Sequence, residues 1–101
     1  MIARIWHGYT SIDNGDVYEH MLKSEIFSGI REKNIQGFKD IQLLRRQLNH
    51  EVEFITIMWF DSLDSVKQFA GKDYERAVIY PDAKPLLIRY DERSQHYDVK
   101  N

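Results

Sequence analysis

Glu51-Val-Glu-Phe-Ile-Thr-Ile-Met-Trp-Phe60 is the stretch on which the fold turns. It holds no glycine or proline and is rich in β-branched and aromatic side chains, so it predicts a strand. One face carries Val52, Phe54, Thr56, Met58 and Phe60. The other carries Glu51, Glu53, Ile55, Ile57 and Trp59. Both faces turn apolar towards the end, which predicts a central strand covered on both sides.

Outward from this strand, Asn49-His50 predicts a tight turn back to a strand region that begins at Gly37 and alternates from Ile41 to Leu48. Downstream, Ser62 is a suitable N-cap for a helix with Leu63, Val66 and Phe69 on one face, and Gly71 is a suitable stop. Upstream, Ile2 to His7 reads as a strand, and Asp13-Asn14-Gly15-Asp16 as a turn with capping chemistry. Val17, Tyr18, Met21, Leu22, Ile26 and Ile30 recur at helical spacing, predicting a helix from Asp16 towards Lys33 with Ser28-Gly29 as a candidate break. Asp73 and Asp82 each predict a short capped helix, the second with Pro85 in its first turn. Ser94 to Val99 alternates as the last strand. The order is β-α-β-β-α-β, the ferredoxin-like split motif. The fold class is therefore α+β, an antiparallel sheet with helices on one face. The second, apolar face calls for a second copy of the chain, so a homodimer is expected.

The length of 101 residues fits a single domain over 1–101. Hydrophobic residues at 43% support a core and argue against disorder. A net charge of −2 supplies no basic field, so no nucleic-acid partner is expected. Without cysteine there is no disulfide, thiolate metal site or cysteine nucleophile. Met-Ile-Ala-Arg-Ile-Trp-His is too polar for a signal peptide, and no apolar run reaches a membrane span. The expectation is a cytoplasmic protein with no membrane partner.

Several pieces together carry a family resemblance. They are Met1-Ile-Ala-Arg-Ile-Trp-His-Gly8, Gly37-Phe38 leading to Leu43-Leu44-Arg45-Arg46, and Glu51 to Ile57 running into Trp59-Phe60-Asp61-Ser62-Leu63. Phe69-Ala70-Gly71 and Asp91-Glu92-Arg93 before His96-Tyr97 complete the set. In this order and at this length the chain resembles the antibiotic-biosynthesis-monooxygenase-like domain. The resemblance implies a dimeric α/β barrel of ferredoxin-like subunits packed sheet to sheet, with a pocket between helices and sheet in each subunit. Among such proteins some oxygenate phenols or quinols without metal or flavin, some open haem, and many have no assigned activity. Two departures bear on this. The tryptophan used by the haem-degrading and phenol-oxygenating relatives corresponds to Phe60 here. The haem-ligating histidine corresponds to Val78, so haem binding and degradation are not expected.

Cofactor-free oxygenation needs an ionisable phenol or quinol, a proton acceptor and a closed apolar pocket. His7, taken as the strand end beside Gly8, is the candidate acceptor, and Tyr80 adds a hydroxyl outside regular structure; these are the expected catalytic residues. Phe54, Met58, Phe60 and Phe69 are the expected substrate-binding wall. The plainer alternatives are an exposed strand-end His7 and aromatic residues that serve only as core. Trp6 and Trp59 are read as lying together on the dimer-facing side, with Arg4, Arg45 and Glu53 pairing across that interface. His20 and His50 are read as solvated, and His96 as a sheet or interface residue. Arg89, just before the last strand, is a candidate to steady an anion. No metal-ligand spacing, phosphate loop or Gly-x-Ser-x-Gly elbow occurs, so neither metal nor cofactor is expected. The reading is a cofactor-independent monooxygenase of a small aromatic, phenolic or quinol-like molecule. A non-catalytic ligand-binding or interaction module on the same fold is the alternative.

Overall fold

The computed structural model describes residues 1–101. Strand β1 (Ile2–Ser11) pairs antiparallel with β3 (Glu51–Phe60) along its whole length, from Ile2 opposite Phe60 to Ser11 opposite Glu51. Strand β2 (Phe38–Gln47) forms the predicted hairpin with β3. The free edge of β1 is shared by two short strands. β5 (Gln95–Asp98) lies beside Ile2 to Ile5, and β4 (Leu87–Tyr90) beside Gly8 to Thr10. The sheet order is β2-β3-β1-β4, with β5 also on β1. This is the ferredoxin-like arrangement with its last strand divided in two, and β3 is central as its sequence predicts.

The first helical region is not one α-helix. It runs as α1 (Gly15–Met21), a π-helical turn (Leu22–Ile26) and α2 (Phe27–Glu32). The predicted break at Ser28-Gly29 does not occur, and the irregularity lies one turn earlier. The buried residues explain it. Tyr18, Leu22, Phe27 and Ile30 all face the sheet, and the step of five from Leu22 to Phe27 is one too long for an α-turn. The Phe27 N–H accordingly donates to the Leu22 carbonyl, five residues back. The wider turn brings both bulky residues onto the core.

Helix α3 (Leu63–Ala70) starts as expected, with Ser62 Oγ accepting from Ser65 N at 3.3 Å. The helix predicted after Asp73 is absent. That segment runs irregularly against the turn before β5, with Ala77 N–H donating to Glu92 O and Ser94 N–H to Glu75 O. Backbone groups bonded in this way are not free for a helix. The one expected at Asp82 is reduced to a 3-10 turn (Lys84–Leu86) entered through Ala83, with Asp82 making no cap.

Pairing fixes the two faces of the sheet. Trp6 stands opposite Thr56 and Arg4 opposite Met58, so the even-numbered residues of β1 share the helix-covered face with Val52, Phe54 and Met58. Trp6 therefore does not accompany Trp59, contrary to the sequence reading. Nor do Arg4, Arg45 and Glu53 pair across one surface. Arg45 meets Asp16 and Glu19 on the helical side, whereas Glu53 meets Arg46 on the other. The uncovered face carries Ile5, Ile55, Ile57 and Trp59, flanked by Leu44 and Tyr97, which are 44% and 55% exposed.

Gly37 has φ +87°, and a Cβ there would lie 1.9 Å from Ser65 Oγ, inside the first turn of α3. Gly37→Ala thus meets both a backbone and a steric penalty and should lower unfolding free energy by about 2–3 kcal/mol. Gly29→Ala, within α2 and with open space around its Cβ, should instead be neutral or stabilising by up to about 1 kcal/mol. Urea denaturation of the two variants checks the contrast.

Candidate functional site

Between the helical layer and the sheet lies a largely apolar cavity of about 70 Å³. The helical region contributes Leu22, Ile26, Phe27 and Ile30, the sheet Trp6, Thr56 and Met58, and the segment before β4 Val78, Ile79 and Tyr80; Phe69 closes it from α3. Its volume is below the roughly 150 Å³ of a dry protein cavity that holds benzene. A ring therefore enters only if a wall moves. Ile26 and Tyr80 also line an open groove with Glu25, Lys33 and Asp82, so the cavity and the groove adjoin at these two side chains. Ile26 stands on the π-helical turn, whose backbone bonding is less regular than that of the α-helix around it.

The candidate residues divide by position. Met58, Phe69 and Tyr80 line the cavity. Phe54 and Phe60 do not; they are fully buried one layer behind it, Phe54 against Tyr18 at 4.9 Å and Phe60 against Phe69 at 6.1 Å between ring centroids. His7 is not part of the cavity wall. β1 extends to Ser11, so His7 is a mid-strand residue rather than a strand end, and its side chain occupies the uncovered face. The space above Gly8 is taken by the Trp6 indole, from which a Cβ at position 8 would be only 2.4 Å away. His7 is instead tied to Asp91, whose carboxylate accepts from His7 N at 2.9 Å and lies 2.7 Å from His7 Nδ1. Asp91 O in turn accepts from Trp6 Nε1 at 2.8 Å. Arg89, the other candidate for an anion, pairs with Glu51 and lies over the Tyr9 ring.

Two polar groups in or beside the cavity lack the partners that burial usually demands. The Tyr80 hydroxyl is buried without a hydrogen bond, and burial raises its pKa, so it stays protonated at neutral pH. Arg4 is only 3% exposed and has no carboxylate partner. Its guanidinium donates to Tyr74 O at 2.5 Å, Arg76 O at 3.2 Å and His96 Nε2 at 3.0 Å, all neutral acceptors. Desolvation pushes its pKa down to about 10, which still leaves it cationic at neutral pH. The Phe69 ring lies under it at 5.5 Å.

Because Arg4 can only donate, His96 Nε2 is the acceptor and the proton of the neutral imidazole sits on Nδ1. That Nδ1 is also buried without a partner. Arg4 was not identified in the sequence as part of the pocket. The available signal was parity: an arginine two residues before Trp6 on a central strand shares its face. The described residues include no group of three or more His, Asp or Glu side chains placed to hold a metal, and no helix is long and apolar enough to cross a membrane.

No family model and no curated protein sequence matches the chain. Among solved structures, a Bacillus cereus protein provisionally described as an antibiotic biosynthesis monooxygenase superposes with a TM-score of 0.68. The match covers 99% of this chain and 91% of that one at 19% sequence identity. At that identity the likeness establishes a common fold, the one the sequence resemblance implies.

His96 carries a pH consequence. Its pKa is lowered, chiefly by burial and then by the Arg4 charge, with Glu75 opposing. The unfolded chain therefore binds this proton more readily than the folded one. The stability contributed by a neutral His96 is present above the ordinary histidine pKa of 6.5 and is lost as pH falls below it. Replacing His96 by Gln, which still offers Arg4 an acceptor, should flatten the fall in stability between pH 7 and pH 5 relative to the wild type. Denaturant titrations across that range measure it.

Proposed function

We propose that the chain is a cofactor-independent monooxygenase acting on a small aromatic, phenolic or quinol-like molecule in the helix-side cavity. The observation that carries the reading is the Tyr80 hydroxyl, buried, protonated and unpartnered in the wall of a largely apolar pocket. An unsatisfied buried donor costs stability unless a ligand completes it. The shared fold with the Bacillus cereus structure agrees with this reading.

In the proposed reaction the substrate, an activated CH2 flanked by an aromatic carbonyl system, gives up its proton to bulk water before it binds and enters the cavity as the anion. Tyr80 donates to the oxygen on which the charge settles. The anion gives one electron to O2, and the radical pair recombines to a peroxide that takes up a proton. Loss of water then leaves a new carbonyl. One oxygen atom ends in product and one in water, with every electron supplied by the substrate. The protein's part is to exclude bulk water and fix the oxygen of the anion. His7, on the other face of the sheet, has no assigned step.

The same reading includes a two-fold homodimer joined through the uncovered sheet face. Ile5, Ile55, Ile57 and Trp59 form one contiguous apolar surface there, of the kind that soluble monomers rarely leave open.

Oxygen consumption with quinols and anthrone-like phenols, metals chelated, tests the chemistry. The wild type should oxidise at least one. Tyr80→Phe should lower kcat on the order of 10²-fold, as loss of one oxyanion donor does elsewhere. Its thermal stability should be unchanged or slightly raised, since no hydrogen bond is lost. If no phenol or quinol is consumed by the wild type, a non-catalytic ligand-binding module replaces this reading. Sedimentation at micromolar concentration should give twice the chain mass for the wild type and the single-chain mass for Ile57→Asp.

A further inference from the structure

We propose that the helix-side cavity is an anion site, and that Arg4 selects a small, mainly apolar organic anion by pairing with its charged oxygen. The ligand class is a phenolate or carboxylate on a single ring or short branched chain. This rests on the proposed use of the cavity as a ligand site, but not on any reaction occurring there.

The geometry of Arg4 carries the inference. A cation 97% withdrawn from solvent, by its 3% exposure, is costly unless an opposite charge accompanies it. Arg4 has three neutral acceptors and no carboxylate. Those bonds use three of the five N–H donors of a guanidinium, which leaves two without a partner in the protein. The bonded carbonyls of Tyr74 and Arg76 hold the side chain from the loop side, while the residue lines the cavity on the other. Phe69, Met58 and Trp6 surround that lining with apolar surface, and the Tyr80 hydroxyl supplies a second, neutral donor. A group of fixed positive charge in a dry wall is suited to an anion whose remaining surface is hydrocarbon. Hydrophilic anions such as inorganic phosphate gain the charge contact but lose hydration against the apolar walls, so they are selected against.

A purely structural Arg4, tying the loop to β1, predicts something different for a bound phenol. An apolar cavity with no effective positive charge raises the pKa of a buried phenol, whereas a guanidinium in contact lowers it. 4-Nitrophenol distinguishes the two, because its visible absorption reports ionisation and it is too electron-poor to be consumed by O2. Titrated with the full-length wild-type protein, the bound probe should ionise about one pH unit or more below the free probe. The wild type should also bind benzoate at least tenfold more tightly than benzamide, which has the same ring without the charge. Arg4→Lys should keep the downward shift and Arg4→Met should reverse it. Where Arg4→Met fails to fold, the direction of the shift in the wild type still decides. A bound probe that ionises above the free one, equal affinity for benzoate and benzamide, or no binding of the probe at millimolar concentration overturns the proposal. Anion binding with no oxygen uptake on any quinol would uphold it while removing the oxygenase reading.

Discussion

The parity of β1 is the constraint from which the rest of the molecule follows. This strand pairs with β3 over its whole length on one edge and with β5 and β4 in turn on the other. Side chains alternate with period two, so once Ile2 faces Phe60 every later residue of β1 is assigned to a face. Arg4 and Trp6 are thereby sent under the helices, and Ile5 and His7 to the open side. A one-residue slip would bury His7 and expose Arg4. Asp91 holds the register at the point where the outer strands change over. It exchanges backbone and side-chain bonds with His7 while its carbonyl takes the Trp6 indole N–H from the other face. One residue thus couples both layers to the same strand.

Arg4 gives the loop of residues 73 to 78 much of its definition. With no helix there, the segment has few backbone bonds of its own. Its carbonyls at Tyr74 and Arg76 reach inward to the guanidinium, and its outer edge pairs with the residues before β5. The charge therefore orders this loop from a residue that also lines the cavity. Surface ion pairs such as Arg93 with Asp73 and Glu75 are solvated and each worth little.

The fold was largely legible because the strands and α3 declare themselves locally. Alternation in Glu51 to Phe60, the Asn49-His50 turn, the Ser62 cap and the Gly71 stop are all short-range signals. The elements misread depend on tertiary partners. Asp73 to Val78 has helical spacing but gives its backbone to the Glu92 to Ser94 stretch. β4 is not legible in the sequence, because Leu87 to Tyr90 is short and exists by pairing with β1. At the site, Met58, Phe69 and Tyr80 were legible as apolar or amphipathic residues near the predicted pocket. Nothing in the sequence after His7 shows that its strand continues to Ser11, and nothing in β1 alone shows which face Arg4 takes. Periodicity reveals that a strand alternates, but which half turns inward is decided by the neighbouring strand.

The π-helical turn at Leu22–Ile26 has a consequence for length variation. It accommodates one residue more than an α-turn while still returning Phe27 to the sheet. The ends of the helical region, anchored at Gly15 and before β2, are therefore decoupled from the residue count between them. A sister sequence one residue shorter at this place could form an unbroken α-helix, keep every strand pairing, and differ mainly in what replaces Ile26 at the mouth of the cavity. Insertions and deletions there would reshape the cavity lining while leaving the scaffold as it is, a route by which one architecture could vary its interior without first becoming unstable.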